Sequence, residues 1–224
     1  MGSIRRRTMS ALGARPRPVG VNVNRLTRTV ASLGLTAAVA VTTIAPGTAA
    51  NASASPSSIL TFQNVWTNPG PNYLNNTCVF DLSMIADFAP VTTLTQCGIT
   101  ATFSTTMEKR SVQSATWGVW NPNPNQVETP SPDVLYSLGA HAVQISFSSP
   151  RRIAGYEIQP SAGTQSFKGG YYDASGVEMG QINQTLMAGK ARLVAAKSLP
   201  SPQVSMLWIS SGGDFAIARL RVKP

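Results

Sequence analysis

From residue 99 onward, apolar and polar side chains alternate with a period of two, the mark of strands with one buried face. Ile99, Ala101 and Phe103 alternate with Thr100, Thr102 and Ser104; Val143, Ile145 and Phe147 alternate with Gln144, Ser146 and Ser148. Ala154, Tyr156 and Ile158 lie opposite Gly155, Glu157 and Gln159. The same reading predicts strands over 59–65, 111–119, 166–172, 177–186, 191–196, 203–209 and 215–222. Turn-forming clusters separate them: Ser148-Ser149-Pro150, Asp173-Ala174-Ser175-Gly176, Leu199-Pro200-Ser201-Pro202 and Ser211-Gly212-Gly213-Asp214. Helical spacing is confined to Phe80, Met84 and Phe88, where a short helix or turn fits before Pro90. About ten short strands with frequent turns predict an all-β chain, an antiparallel sandwich or barrel.

Two stretches break the alternation. Trp66-Thr67-Asn68-Pro69-Gly70-Pro71-Asn72-Tyr73 and Trp117-Gly118-Val119-Trp120-Asn121-Pro122-Asn123-Pro124-Asn125 mix aromatics with Asn and Pro. Asn-Pro runs continue neither a strand nor a helix, so both read as surface loops. An exposed indole offers a flat apolar face for the C–H side of a sugar ring, and Asn amides pair with hydroxyls. Trp66, Trp117 and Trp120, with Asn121 and Asn123, are therefore the candidate ligand contacts. The competing reading makes the tryptophans core anchors. In an extended strand Trp117 and Trp120, three residues apart, would point to opposite sides.

The N-terminal region has a different character. Arg5, Arg6, Arg7, Arg15, Arg17, Arg25 and Arg28 precede an apolar run over 30–44, and no acid occurs before Asp81. Pro46 and the small residues Gly47 to Ala52 follow. Basic head, short apolar core and small-residue cleavage site spell an export signal over 1–52, cut after Ala50 or Ala52. As a helix the run would reach only about 22 Å, short of the ~30 Å hydrocarbon core. Arg6-Arg7 resembles a twin-arginine signal, but the apolar core begins far downstream, which favours the general secretory route. Residues 53–224 are expected to form one secreted domain with no further membrane span.

That leader changes the charge argument. The chain carries 18 Lys and Arg against 9 Asp and Glu, a net +9, but seven of those bases precede residue 51. Eleven bases then face nine acids, and the basic pairs are scattered, so no nucleic-acid footprint is expected. Cys78 and Cys97, the chain's two cysteines, are bound for an oxidising compartment and are expected to form a disulfide.

Catalytic signatures are sparse. The sequence lacks metalloprotease, nucleophile-elbow, phosphate-loop and dinucleotide patterns, and its single histidine, His141, sits at a strand entry. A carboxylate pair, as glycosidases use, cannot be read from sequence because any two of nine acids could converge. Asp173 and Asp214 lie in tight Gly- and Ser-containing turns, where a carboxylate and backbone carbonyls could hold Ca²⁺ or simply close the turns.

From 133 to 222 the chain resembles the galactose-binding-like and carbohydrate-binding-module-like sandwiches of secreted bacterial proteins. The resemblance is carried by Val143-Gln144-Ile145-Ser146-Phe147 before Pro150 and by Ile153-Ala154-Gly155-Tyr156-Glu157-Ile158. Gly170-Tyr171-Tyr172-Asp173-Ala174-Ser175-Gly176 and Asp214-Phe215-Ala216-Ile217 complete it. It implies an antiparallel β-sandwich of jelly-roll or galactose-binding-like type, with non-catalytic ligand binding or adhesion and sometimes a structural calcium. The expectation is thus a secreted binding protein for a glycan or cell-envelope component. The alternatives are a glycan-cleaving hydrolase with a carboxylate pair, and a structural or adhesive envelope protein without a small ligand.

Overall fold

The computed structural model describes residues 67–199, 201 and 203–223. The export segment, the strand expected over 59–65 and Trp66 lie outside the described residues. Eleven antiparallel strands and one helical turn make up the described chain. They are α1 (Pro71–Leu74), β1 (Cys78–Val79), β2 (Pro90–Gln96), β3 (Ile99–Ser111), β4 (Asp133–Tyr136) and β5 (Ala142–Arg151). Then come β6 (Ile153–Pro160), β7 (Thr164–Tyr172), β8 (Glu178–Met187), β9 (Arg192–Lys197), β10 (Val204–Ser211) and β11 (Phe215–Lys223).

One continuous ladder runs β8-β7-β10-β5-β3-β4-β11-β6-β9, with β2 beside β3 and β1 beside β11. The ladder turns over at β3, whose 13 residues serve two sets of neighbours. Its first half pairs with β5 (Ala101↔Phe147, Phe103↔Ile145), and its last residues pair with β4 (Glu108↔Tyr136 through Ser111↔Asp133). A front layer (β8, β7, β10, β5, early β3) thereby faces a back layer (β4, β11, β6, β9), giving a β-sandwich-like body. Phe167 of β7 meets Phe215 of β11 edge-on, with ring centroids 5.9 Å apart. A Cβ on Gly169 of β7 would lie 2.5 Å from the Tyr156 hydroxyl of β6, so a missing side chain lets the layers close. The core between them holds the alternating residues expected from sequence, among them Ile145, Tyr156 and Ile158, together with Leu207, Ile209 and Ile217.

The back layer is covered on its outer side as well. All eight residues of β6 are buried, which one buried face cannot explain. Tyr73 of α1 packs on Ile153, Leu193 and Ala195, while Trp117, Trp120 and Val127 pack on Val134, Ala191, Ala216 and Ala218. Gly155 sits beneath Tyr73: a Cβ there would fall 2.4 Å from Ala195 Cβ and 2.6 Å from the Tyr73 hydroxyl. Arg221 fastens this cover, with Nε and Nη2 each 2.7 Å from a Glu128 carboxylate oxygen and Nη1 donating to Thr77 O at 3.1 Å.

Cys78 and Cys97 are joined. Cys97 and Gly98 form the two-residue turn of the β2–β3 hairpin with φ of 57° and 70°, as a type I′ turn requires. Because β1 pairs with β11, the bond ties the tip of that hairpin to the back layer.

Three sequence expectations change. Of the short helix or turn expected over 80–89 only the turns form, at 83–84 and 87–88; Phe80 is buried while Met84 and Phe88 are exposed, so their spacing marks no common helical face. The single helical turn lies instead in the first Asn-Pro stretch, where Pro71 occupies the start of the helix and its missing N–H is no loss. The strand expected over 111–119 is a series of turns; β3 ends at Ser111, and the true strand is the preceding Thr- and Lys-containing run, 105–111. Ser148-Ser149-Pro150 does not separate strands but forms an irregularity within β5, where the pairing with β10 shifts between Val204 and Met206.

Candidate functional site

The outward sides of the two layers differ sharply. On the back layer, the cover absorbs most of the residues expected to contact ligand. Trp120 is fully buried and donates its indole N–H to Glu157 Oε2 at 2.8 Å. Glu157 Oε1 accepts the Glu128 backbone N–H at 2.6 Å. Burial nevertheless dominates and pushes the Glu157 carboxyl up to about 7, with the neighbouring Glu128 adding to it. Asn121 is buried too, donating to Ala191 O (2.8 Å) and Gln126 Oε1 (3.0 Å).

The Asn-Pro alternation has a conformational purpose. Asn121 Oδ1 accepts the N–H of Asn123 at 2.9 Å, and Asn123 Oδ1 accepts that of Asn125 at 3.0 Å, two successive Asx turns across prolines that lack an N–H. Trp120 and Asn121 therefore hold the cover and present no face to solvent. Asn123 is exposed but is occupied with its own turn. Trp117 does not oppose Trp120 as an extended strand would require; both pack on the back layer, with Trp117 at the rim, 5.4 Å from the Tyr136 ring.

The turn aspartates do not meet. Asp173 follows the end of β7, beside the start of β10, whereas Asp214 follows the end of β10, so the two lie at opposite ends of that strand pair. Asp173 Oδ1 accepts from the N–H groups of Ser175 (2.8 Å) and Val177 (2.9 Å), an Asx turn. Asp214 Oδ2 accepts from Tyr136 Oη at 2.6 Å, and the exposed His141 lies 3.7 Å from its other oxygen. Among the described residues no group of three or more His, Cys, Asp or Glu side chains gathers.

The front layer carries the arrangement that sequence analysis missed. Leu207 and Ile209 of β10 point into the core, so Met206, Trp208 and Ser210 point outward. The register sets Trp208 between Gly170 of β7 and Gln144 of β5, and Ser210 beside Lys168. Across β7, Lys168 faces Asn183 of β8 and Gly170 faces Gln181. Tyr172 folds back over Gly170: a Cβ there would sit 2.7 Å from Tyr172 Cε2. The outward face thus holds two half-buried aromatics, Trp208 and Tyr172, ringed by Gln144, Gln181, Asn183, Ser146 and Thr102.

Charge is scarce there. Lys168 Nζ stands 5.7 Å from the Trp208 ring centroid, and Glu178 accepts from the Tyr172 hydroxyl at 3.0 Å. Partial burial and that carboxylate raise the Tyr172 pKa, so the phenol stays protonated. A shallow cleft of about 330 Å³ opens at one end, lined by Ser166, Lys168, Asn183, Thr185 and Ser210. Chemically this is a surface for stacking on a ring and pairing with hydroxyls. The other carboxylates close to one another lie elsewhere: Glu128 and Glu157 under the cover, and Asp87 and Asp133 on either side of Lys109 (2.7 and 3.0 Å).

The fold and this face define an all-β, disulfide-linked chain with an open aromatic and amide surface on one layer. Among the described residues no helix is long and apolar enough to cross a membrane. No family model matches the chain, and no curated protein does. Solved structures similar in part include a DUF4465 family protein from Bacteroides caccae, 12% identical over 71% of this chain and 99% of that one, TM-score 0.38. Another is the family 11 carbohydrate-binding module of a cellulosomal cellulase from Clostridium thermocellum, 10% identical over 63% and 93%, TM-score 0.26. A third is the CBM22-1 and GH10 modules of a Clostridium thermocellum endo-1,4-beta-D-xylanase complexed with xylohexaose, 14% identical, TM-score 0.31. It is matched over 52% of this chain, which spans only 24% of the xylanase chain. With TM-scores below 0.5 these likenesses decide neither fold type nor ligand.

Proposed function

We propose that this chain is a secreted, non-catalytic binding protein, exported by its N-terminal leader, whose ligand is a glycan of the cell envelope or surroundings. Its sandwich is read as the jelly-roll or galactose-binding-like type. The observation that carries the reading is the pair Trp208 and Tyr172, set around Gly170 on an outward face otherwise made of amides and hydroxyls. A half-buried indole in the middle of a sheet keeps part of its apolar face in water, and stacking the C–H side of a sugar ring on it takes that face out of water. Gln144, Gln181 and Asn183 supply paired donors and acceptors at the distances between neighbouring strands.

The hydrolytic alternative needs two carboxylates about 5–10 Å apart in one accessible cleft. On the outward front face Glu178 is the carboxylate present among the described residues, and it is tied to Tyr172. The Glu128 and Glu157 pair is enclosed by Trp120, Tyr73 and Arg221. Binding without cleavage is the reading these placements support.

The test is affinity electrophoresis of the leaderless chain in gels containing cell-wall and plant polysaccharides, with Trp208→Ala beside wild type. Retardation of wild type and at least a tenfold weaker effect for Trp208→Ala, about 1.4 kcal/mol, is expected. Equal retardation of both forms would remove the front face from the reading. No retardation by any polysaccharide would leave the adhesive alternative in its place.

A further inference from the structure

The outward front face is nearly free of charge, and the charge it has is unevenly placed. β2, β5, β7, β8, β10 and residues 99–104 of β3 hold only the basic residues Arg151 and Lys168 and the acidic residue Glu178. Arg151 closes β5, is 6% exposed and donates its Nε to Ser149 O at 2.6 Å. Glu178 accepts from the Tyr172 hydroxyl at 3.0 Å. Of the three, Lys168 has no hydrogen-bond or ion-pair partner among the described residues.

Its ammonium stands instead 5.7 Å from the Trp208 ring centroid, within the range of cation–π attraction. An unmatched positive charge is thereby held beside the ring on which a sugar would stack. Ser210 and Asn183 are the ladder partners of Lys168 on either side, each about 4.8 Å away across the strands. With Ser166 and Thr185 they line the cleft of about 330 Å³ that Lys168 borders. All four carry an O–H or N–H donor. A carboxylate in this cleft accepts from those donors and faces an ammonium with no other counter-charge, a charge-assisted contact stronger than a neutral one. A neutral sugar on Trp208 would displace water from the same ammonium and return less.

The acids lie away from the cleft. Tyr172, which engages Glu178, is four positions from Lys168 along β7, about 13 Å of strand. Asp214, beyond the end of β10, is turned to the Tyr136 hydroxyl of the back layer. The face is thus positive at the cleft and negative at the Tyr172 end. We propose that the glycan held on this face is acidic, a uronic-acid polysaccharide with one carboxylate in the cleft against Lys168 and a neighbouring ring on Trp208. This inference rests on the front-face reading above and narrows its ligand.

The experiment is affinity electrophoresis of the leaderless chain in gels containing alginate, polygalacturonate or carboxyl-reduced polygalacturonate, the last a neutral control of the same backbone. Mobilities are referred to gels without polysaccharide, so that charge changes in the variants cancel. Wild type should bind polygalacturonate or alginate about fivefold more tightly than the reduced polymer, the upper range for one exposed ion pair. Lys168→Gln should lose that preference and keep the affinity for the reduced polymer, while Lys168→Arg should retain it. Glu178→Gln should strengthen polygalacturonate binding about twofold by removing a like charge at the far end of the face. Lys223→Gln, which removes a charge from the back layer, should behave as wild type. Equal binding of acidic and reduced polymers rejects the acidic ligand while leaving the front face a glycan site. An acidic preference that survives in Lys168→Gln, or falls as far in Lys223→Gln, assigns the attraction to the chain's overall charge and also rejects it. If no polysaccharide retards the chain, the front-face reading and the acidic ligand fall together.

Discussion

Trp208 and Gly170 are directly opposed partners in the β10–β7 ladder, and the space that a side chain at Gly170 would take is filled by the ring of Tyr172. A ladder neighbour without a side chain lets two aromatics share one patch of a sheet surface. The Gly170→Ala variant should push the Tyr172 ring away, because the new Cβ would stand 2.7 Å from its Cε2. That ring faces solvent, so melting should change by only a few degrees, whereas polysaccharide affinity should fall by about three- to tenfold. Unchanged affinity in gel retardation would separate Tyr172 from the ligand.

Gly155 should behave in the opposite way. Its missing Cβ is hemmed in by Ala195 Cβ at 2.4 Å, the Tyr73 hydroxyl at 2.6 Å and Ala195 Cα at 3.0 Å, two of them in the neighbouring strand. Gly155→Ala must lift Tyr73 or part β6 from β9, an overpacking cost of about 1–3 kcal/mol. Urea unfolding should show a lower midpoint with a similar slope. A midpoint equal to wild type would mean that the cover over the back layer is loose.

Glu157 gives the fold an unusual pH dependence. Its folded pKa of about 7 lies above the ordinary 4.5, chiefly because burial penalises the charge. The folded state therefore favours the protonated acid. This contribution to stability is complete below about pH 4.5, declines as pH rises towards 7, and is constant above it, by up to about 3 kcal/mol. Glu157→Gln should flatten the denaturation midpoint between pH 5 and 7.5. A slope equal to wild type would assign the titration to another group.

Closing the 19-residue separation between Cys78 and Cys97 restricts the unfolded chain. Removing the bond, as in the Cys78→Ser/Cys97→Ser double variant, should cost about 3 kcal/mol. The reductant dithiothreitol should lower the melting temperature of wild type and leave the double variant unaffected. Insensitivity of both proteins would mean that the bond adds nothing beyond the strand pairing around it.

The core-facing strands were legible because each has one apolar and one polar side. Val143-Gln144-Ile145-Ser146-Phe147 and Ile99 to Ser104 lie where alternation puts them. β2 and β4 carry no clear alternation because they are short, Thr-rich or lie next to prolines. The aromatic loops were recognised as irregular, and their Asn-Pro chemistry does make turns. Their burial was not legible, because an aromatic in a loop reads the same whether it covers a sheet or faces water. Trp208 was hidden for the converse reason: between Leu207 and Ile209 it reads as core, and nothing local says which of three successive apolar residues points outward.

The sequence by itself determined an antiparallel all-β body, the cysteine pairing and most of the strands, because period-two alternation and turn chemistry act over a few residues. Tertiary structure alone decided which face is covered and which is open. Tyr73 and Trp120 reach the back layer from segments distant in sequence, and register brings Trp208, Gly170 and Tyr172 together from different strands. Exposure is a property of what lies above a side chain, and that neighbour is fixed only when the chain has closed on itself.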